Sequence, residues 1–330
     1  MRTGARITAF AAALAAAFGT AYGVGQGVGP VVAEAEPPQH TVHRPEGQPE
    51  AGRETGTAHT GEHGAAAVPG GLTISDQGFT LDLRTQRITA DRPSELRFTV
   101  TDDRTGRTVT DYRREHGKEL HLIVASRDLS TYRHLHPRRA ADGTWSTPVA
   151  LPEAGGYRVF ADFVPRTGAP EGLTLGADLA VSGAADPAPL PRPSTTARVD
   201  GYEVTLKGSL SPGTSRELTL SVSRDGRPVT DLQPYLGAYG HLVALRAGDL
   251  AYLHVHPGGE PGDGATRPGP EISFSATAPS KGSYRLFLDF RHEDTVRTAA
   301  FTVTTDGAVA PGKQEEPGHG TDREGDGHTH

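Results

Sequence analysis

The strongest constraint on the fold is an internal duplication that covers most of the chain. A segment starting near Gly78 and another starting near Gly201 carry the same succession of short motifs. The offset between matching positions stays between 120 (229 − 109) and 127 (284 − 157) residues. Each copy is about 110 residues long, which is the size of a single domain. The fold must therefore be one that a unit of this size adopts twice in tandem.

Within each copy the hydrophobic pattern is typical of β-strands. Apolar and polar residues alternate over 79–83 and 96–100 in the first copy and over 218–222 in the second. This period of two indicates strands with one buried face, and Asp225-Gly226 is a hairpin-turn signal between two of them. Several short strands per unit are typical of an immunoglobulin-like sandwich. The predicted fold class is all-β, with two tandem immunoglobulin-like β-sandwich domains after an N-terminal hydrophobic leader or anchor helix.

The residues outside the copies predict a leader, flexible segments and a linker. Arg2 and Arg6 precede an uncharged stretch from Ile7 to Ala33, which is typical of a secretory signal peptide or a membrane anchor. Polar residues rich in Pro, Gly and Glu follow and predict disorder, whereas four prolines between 187 and 193 predict a stiff spacer. The expected divisions are a leader (1–33), a disordered tether (34–70), the first repeat (71–182), a Pro-rich linker (183–197), the second repeat (198–305) and a disordered His-containing tail (306–330).

Composition limits the chemistry that this chain can perform. The sequence has no cysteine, and its single methionine is the initiator, so thiolate and thioether ligands are excluded. A metal would have to be held by imidazole, carboxylate or water, and imidazole suits zinc and copper. The net charge of −7 argues against nucleic-acid binding, which needs a concentrated basic surface. With a leader at its start, the chain is expected outside the cytoplasm, attached to the membrane through its N-terminal segment or secreted.

A histidine motif recurs in both copies at the same spacing. In each, a His-Leu pair precedes a His-x-His-Pro element, and 13 residues separate the first histidine from the second (134 − 121 and 254 − 241). Imidazole is the commonest metal ligand near neutral pH. The sequence therefore predicts one three-histidine site per copy for a copper or zinc ion. The candidate ligands are His121, His134 and His136 in the first copy and His241, His254 and His256 in the second.

Strand geometry explains how three such histidines could meet. Residues i and i+2 of a strand point to the same face, so His134 and His136 are expected side by side. The strand that begins at His121 would pair with the His-x-His strand after a reversal through residues 127–129. Three imidazoles around one ion, with a further position open, is a zinc arrangement that copper also accepts.

Asp162 and Asp289 occupy matching positions in later strands and have three alternative roles. Each could supply a fourth ligand, accept a hydrogen bond from a liganding imidazole, or lie on a solvated face. The histidines also have alternatives to metal binding. They could be structural, bonding to backbone groups at a sandwich corner, or they could contact a protein partner in the cell envelope.

The motifs resemble those of a group of bacterial exported proteins. HLIV, DLS and HLHP, followed by DGTW and GYRVFADF, are similar to sequences of exported heavy-metal- or copper-associated proteins with YtkA-like and CopC-like immunoglobulin-type domains. The resemblance covers roughly residues 72–304 and implies extracytoplasmic metal handling, such as copper storage or delivery. This chain departs from CopC-type proteins because it has no methionine-rich strands.

The sequence thus favours an extracytoplasmic binding protein that buffers or delivers a divalent metal, with copper expected first. The alternative is a metal-free structural or interaction module of the envelope. No enzyme is expected, because the sequence contains no Ser-His-Asp order, no His-Glu-x-x-His and no phosphate-binding glycine loop.

Overall fold

The computed structural model describes residues 68–169, 171–253 and 255–305. The leader, most of the predicted tether and the predicted tail lie outside the described residues, and so does His254. Within the described part of the chain, no helix is long and apolar enough to span a membrane.

The first repeat folds as a sandwich of two sheets. Its strands are β1 (Ser75–Asp76), β2 (Phe79–Leu83), β3 (Arg87–Thr89), β4 (Ser94–Asp102), β5 (Arg107–Thr108), β6 (Tyr112–Arg113), β7 (Leu120–Ser126), β8 (Tyr132–Leu135), β9 (Arg138–Arg139), β10 (Trp145–Val149), β11 (Gly155–Pro165) and β12 (Leu173–Ser182). One sheet has the order β1-β2-β4-β10-β9, with β5 on β4, and the other has the order β3-β12-β11-β7-β8, with β6 on β11.

The second repeat forms an equivalent sandwich. Its strands are β13 (Thr196–Val199), β14 (Tyr202–Lys207), β15 (Ser215–Arg224), β16 (Arg227–Pro228), β17 (Gly240–Arg246), β18 (Tyr252–Leu253), β19 (Val255–Pro257), β20 (Glu271–Thr277), β21 (Ser283–His292) and β22 (Thr295–Thr304). One sheet has the order β13-β14-β15-β20-β19, with β16 on β15, and the other has the order β18-β17-β21-β22. The chain is all-β over the described residues, as predicted, with two tandem immunoglobulin-like sandwiches.

Each sandwich encloses its own core, built from the alternating apolar positions that the sequence shows. In the first repeat Leu81 and Phe98 of one sheet meet Leu122 and Val159 of the other, and all four are buried. The second core repeats this arrangement with matching residues, such as Val204 and Leu242. Alternation therefore identifies the core face of each sheet correctly.

A third apolar cluster joins the two sandwiches, and the sequence pattern did not predict it. It lies on the outer faces of β7, β8 and β11 in the first repeat and of β17 and β21 in the second. Its buried members are Ile123, Ala125, Leu129, Tyr132, Phe160, Val243, Leu245, Leu250 and Phe287. Strand β7 is consequently buried at every position, because its two faces pack against different neighbours.

Aromatic contacts across this interface relate the repeats by an approximate two-fold. Tyr132 of the first repeat stacks on Phe287 of the second, with ring centroids 4.1 Å apart and planes 7° apart. At the matching positions, the ring centroid of Tyr252 in the second repeat lies 5.7 Å from that of Phe160 in the first. Each repeat therefore offers the same tyrosine to the same phenylalanine of the other, as in an isologous contact.

The Pro-rich linker and the end of the predicted tether both pack on the sandwiches. Within the linker, Ala188 N donates to the Asp128 carboxylate, and Leu190 packs on the inter-repeat cluster. The linker therefore contacts the sandwiches that it connects, and its last two residues belong to β13. Gly70, placed in the tether by its composition, accepts a hydrogen bond from Tyr252 N at 2.9 Å and is part of the fold.

Truncation of Phe287 should test the inter-repeat packing. We expect Phe287→Ala to lower the free energy of unfolding by about 3–5 kcal/mol, because it removes a buried ring and leaves a cavity against Tyr132. The matched control is Val296→Ala, on the neighbouring strand at 40% exposure, which should cost less than about 0.5 kcal/mol. Equal losses for the two variants in chemical denaturation would contradict the interface.

Candidate metal centre

Strand pairing brings the three histidines of the first repeat together. β7 and β8 are antiparallel, with Ile123 opposite His134 and Leu122 opposite Leu135, so the predicted reversal is confirmed. His121 precedes Leu122 and His136 follows Leu135, which places these two rings beside each other at the end of the hairpin. One ligand nitrogen from each of His121, His134 and His136 lies within 4.8 Å of the others.

Hydrogen bonds fix which nitrogen of His121 and of His134 carries a lone pair. His121 Nε2 lies 3.1 Å from the Glu115 carbonyl oxygen, and His134 Nδ1 lies 2.9 Å from Asp289 Oδ2. Carbonyl and carboxylate oxygens only accept hydrogen bonds, so these two nitrogens are donors. In the neutral imidazoles, His121 Nδ1 and His134 Nε2 are then the unprotonated atoms.

His121 Nδ1 and His134 Nε2 lie 3.1 Å apart, and in the neutral rings both carry a lone pair. Two lone pairs at this distance repel unless a cation lies between them. Nitrogens that share a tetrahedral zinc ion at ~2.0–2.1 Å are about 3.3 Å apart, so the observed spacing suits one ion bound to both. A proton on His134 Nε2, balanced by Asp289, is the metal-free alternative.

His136 supplies the third nitrogen of the group. Its Nε2 is buried and has no hydrogen-bond partner in the structure, an arrangement that costs about 1–3 kcal/mol for an ordinary polar atom. Burial lowers the pKa of His136 to about 3. Burial lowers the pKa of His121 to about 3 as well. Both rings therefore stay neutral, the form that binds metal.

Asp289 supports the centre from the opposite repeat. Its carboxylate is almost fully buried and accepts hydrogen bonds from His134 Nδ1 and from Thr298 Oγ1, the latter at 2.5 Å. Burial raises the pKa of Tyr132 well above its usual value, so this hydroxyl stays protonated and points at the same carboxylate at 3.4 Å. Of the three roles that the sequence left open, Asp289 occupies that of a hydrogen-bond acceptor for a candidate ligand.

Asp162, at the matching position, has a different environment. It lies opposite His121 in the β7–β11 ladder and accepts a hydrogen bond from Thr174 Oγ1 at 2.9 Å. The residue is half-buried. The equivalent ladder of the second repeat pairs His241 with Asp289.

The histidines of the second repeat are placed differently from those of the first. Among the described residues, β18 pairs with β17 at Tyr252 and Leu253, and β19, which carries His256, joins β20 in the other sheet. His256 is exposed, and His254 lies outside the described residues. A separate three-histidine site in the second repeat therefore stays a prediction.

His241 lies next to the centre of the first repeat instead. Its ring centroid is 6.1 Å from that of His121 and 6.0 Å from that of His134. Its Nε2 donates to the Tyr235 carbonyl oxygen at 2.9 Å, and His121 makes the equivalent hydrogen bond to the Glu115 carbonyl oxygen. Burial lowers the pKa of His241 to about 4.

Two neighbours of the centre escaped the sequence analysis. His116 lies 5.2 Å from His241 between ring centroids, and the Tyr235 ring lies 6.1 Å from that of His136. His116 matches Leu236 in the other copy, so comparison of the repeats set it aside. His116 and Leu236 both have left-handed backbone conformations, with φ of 50° and 52°, and they lie in equivalent turns.

A cleft of about 870 Å³ adjoins the centre and gives it a path to solvent. Among its lining residues are His116, His121, His134, Asp162, His241 and His256.

The fold and the centre together define a two-repeat β-sandwich protein with a histidine cluster where the repeats meet. A model of the family described as Domain of unknown function (DUF8832) matches residues 73–171 and 197–307, which are 99 and 111 residues of the 330. The chain belongs to this family. No curated protein matches the chain. The resemblance to YtkA-like and CopC-like proteins stays a prediction.

Solved structures with some likeness to this chain include bacterial surface proteins. The Escherichia coli adhesin FdeC is 14% identical, with a TM-score of 0.25, over 71% of this chain and 66% of that one. Yersinia pseudotuberculosis InvD is 13% identical, with a TM-score of 0.24, over 74% and 62%. Invasin, a bacterial integrin-binding protein, is 13% identical, with a TM-score of 0.22, over 70% and 40%. This chain thus spans less than two thirds of each, and such low scores carry no conclusion about function.

The buried neutral imidazoles predict how the stability of the metal-free protein depends on pH. His121 and His136 have a pKa of about 3 and His241 of about 4, against 6.5 for ordinary histidine. Below pH 6.5 these histidines are protonated in the unfolded chain but stay neutral in the folded protein. The free energy of unfolding should therefore fall as the pH drops from 6.5 toward 3. A buried imidazole such as His121 contributes at most about 1.4 kcal/mol per pH unit.

Chemical denaturation at pH 7.5, 6.5, 5.5 and 5.0 checks this dependence, because few carboxylates titrate in that window. His121→Gln should flatten the curve. A wild-type stability that is constant or rises on acidification would contradict the buried, neutral state of the cluster.

Proposed function

We propose that this protein binds a divalent metal ion, copper or zinc, outside the cytoplasm and buffers or delivers it without chemical turnover. The proposed ligands in the first repeat are His121, His134 and His136. One observation carries the proposal: His121 Nδ1 and His134 Nε2 lie 3.1 Å apart, beside a buried His136 nitrogen that has no hydrogen-bond partner. A metal ion satisfies all three atoms at once.

The donor set and its support suit such an ion. Neutral imidazoles bind zinc and copper, and liganding histidines ordinarily donate their other N–H to a carboxylate or a carbonyl. His134 does so to Asp289 and His121 to the Glu115 carbonyl oxygen. Asp289 accepts hydrogen bonds from both His134 and Thr298, which hold the carboxylate in place beside the proposed ligand.

The proposed location follows from the N-terminal sequence. Arg2 and Arg6 before the uncharged stretch from Ile7 to Ala33 are typical of an exported or membrane-anchored protein. In an extracytoplasmic compartment a cysteine-free histidine site can exchange metal without thiol oxidation. The remaining partner, an envelope protein that gives or receives the metal, belongs to the proposal as well.

Calorimetric titration of the purified full chain with Cu(II) and Zn(II) at pH 7.5 tests the proposal. We expect tight, saturable binding that disappears in a His134→Ala/His136→Ala variant, because two of three ligands are lost. The matched control is His254→Ala/His256→Ala, which should keep the tight equivalent. A second equivalent lost only in this control would establish a separate site in the second repeat.

A second candidate function is a metal-free structural or interaction module of the envelope. The observation that favours it is the buried contact between His134 Nδ1 and Asp289 Oδ2, which joins the repeats with both side chains less than 10% exposed. Here the histidines hold the sandwiches together, and His134→Ala lowers the free energy of unfolding by about 3–5 kcal/mol. Absence of saturable metal binding by the folded wild type would select this function.

Neutralising Asp289 should weaken metal binding while leaving all three proposed ligands in place. Asp289→Asn retains an acceptor for His134 but removes the negative charge that makes this imidazole a stronger donor to metal, and we expect the Kd to rise about 10–100-fold. Asp162→Asn is the matched control at the equivalent position and should change the Kd less than twofold. Equal effects of the two substitutions in the titration would contradict the assigned role of Asp289.

A further inference from the structure

The second repeat presents two groups to the centre from adjacent positions. His241 and Asp289 are direct partners in the β17–β21 ladder, so both side chains project from the same sheet face. Asp289 already contacts His134. His241, the neighbour of Asp289 on this face, is therefore the residue of the second repeat that we consider as a further ligand.

The ring of His241 lies next to the triad, farther out than the triad members are from one another. Imidazoles radiating from one ion at a bond length of ~2.0–2.1 Å have centroids about 5 Å apart at a tetrahedral angle and about 6.4 Å apart when opposite. Within the triad the centroid distances are 4.8, 5.3 and 5.5 Å. The distances of 6.1 and 6.0 Å from His241 to His121 and His134 exceed the tetrahedral value, and His241 lies outside the group of histidines whose nitrogens are within 4.8 Å of one another. A bond from His241 to the shared ion therefore requires its ring to move toward the triad when the metal binds.

The tautomer of His241 suits metal binding. Its Nε2 donates to the Tyr235 carbonyl oxygen, so its unprotonated atom is Nδ1. His121 is held in the same way by the Glu115 carbonyl oxygen and presents Nδ1 to the triad. In both repeats, the first histidine of the motif therefore has Nε2 bonded to a backbone carbonyl oxygen and Nδ1 available to a metal ion.

We propose that His241 is the fourth ligand, so that one metal ion is bound by both repeats and ties the two sandwiches together. The proposal rests on the metal-binding function proposed above and adds a structural consequence to it. Metal binding tightens the packing between the repeats, and loss of metal leaves that packing to the apolar cluster and the His134–Asp289 contact. The stability of the packing between the two repeats would then differ between the metal-bound and the metal-free protein.

X-ray absorption of the zinc-loaded full chain tests the coordination number. We expect four imidazole ligands at ~2.0–2.1 Å in the wild type, and three imidazoles plus one oxygen ligand without ring scattering in His241→Ala, with a Kd at least about tenfold higher. His241→Gln keeps a donor for the Tyr235 carbonyl oxygen without a ring nitrogen, and should give the same three-imidazole spectrum in a stably folded protein. His256→Ala is the matched control and should resemble the wild type.

Hydrogen exchange separates a shared ion from one held by the first repeat alone. With a shared ion, zinc should protect the amides of residues 240–243 in β17 as well as those of β7 and β8, and His241→Gln should lose only the β17 protection. Unchanged spectra and affinity in both His241 variants, with binding abolished by His134→Ala/His136→Ala, would overturn the fourth ligand while leaving the proposed function in place. A wild type that binds no zinc would overturn both.

Discussion

The packing of one sheet of each repeat against the other is the interaction on which the rest of the molecule depends. An immunoglobulin-like sheet ordinarily buries one face and leaves the other to water. Here the outer faces of β7–β11 and β17–β21 are apolar, and they cover each other through Tyr132, Phe160, Val243 and Phe287. Because the faces meet, groups at their margin are taken out of water as well. Asp289 and His134 are buried for this reason, and their contact links the repeats.

Burial at this margin gives the histidine cluster its chemistry. Desolvation holds His121, His136 and His241 neutral, and backbone carbonyls orient His121 and His241. The same histidines on an exposed hairpin would titrate near neutral pH and rotate freely. The cluster is therefore a property of the assembled repeats, although the first repeat alone supplies the triad.

The sequence predicts each sandwich well and their relation poorly. Alternation at Leu81 and Phe98 identifies the core face, and the 13-residue spacing correctly predicts that β7 and β8 return His134 to the side of His121. Duplication also suggests two equal sites, because both copies contain the same motif. In the structure, β19 begins at Val255 whereas its counterpart β9 begins at Arg138. The chain thus changes sheets three positions earlier in the second repeat (258 − 255), and His256 moves with it. The position of such a sheet change depends on which neighbouring strand gives the more stable pairing, and the local sequence pattern does not determine this.

One sequence signal for the inter-repeat packing was present. The runs HLIVA and HLVAL are apolar at consecutive positions, which is typical of strands covered on both faces, and not of one-sided sandwich strands. By contrast, the contact of Asp289 with His134 of the other repeat and the proximity of His116 to His241 depend on how the two repeats pack, which residue spacing along the chain does not predict.

A crystal structure of the zinc-loaded protein would show whether a metal ion lies at the junction of the repeats. Anomalous difference maps on either side of the zinc absorption edge locate the ion without reference to the surrounding density. We expect a peak between His121 Nδ1 and His134 Nε2, at about 2.0–2.1 Å from each, with His136 in the coordination sphere of the ion. A map with no peak there, or with zinc only at exposed histidines such as His256, would contradict the proposed metal site.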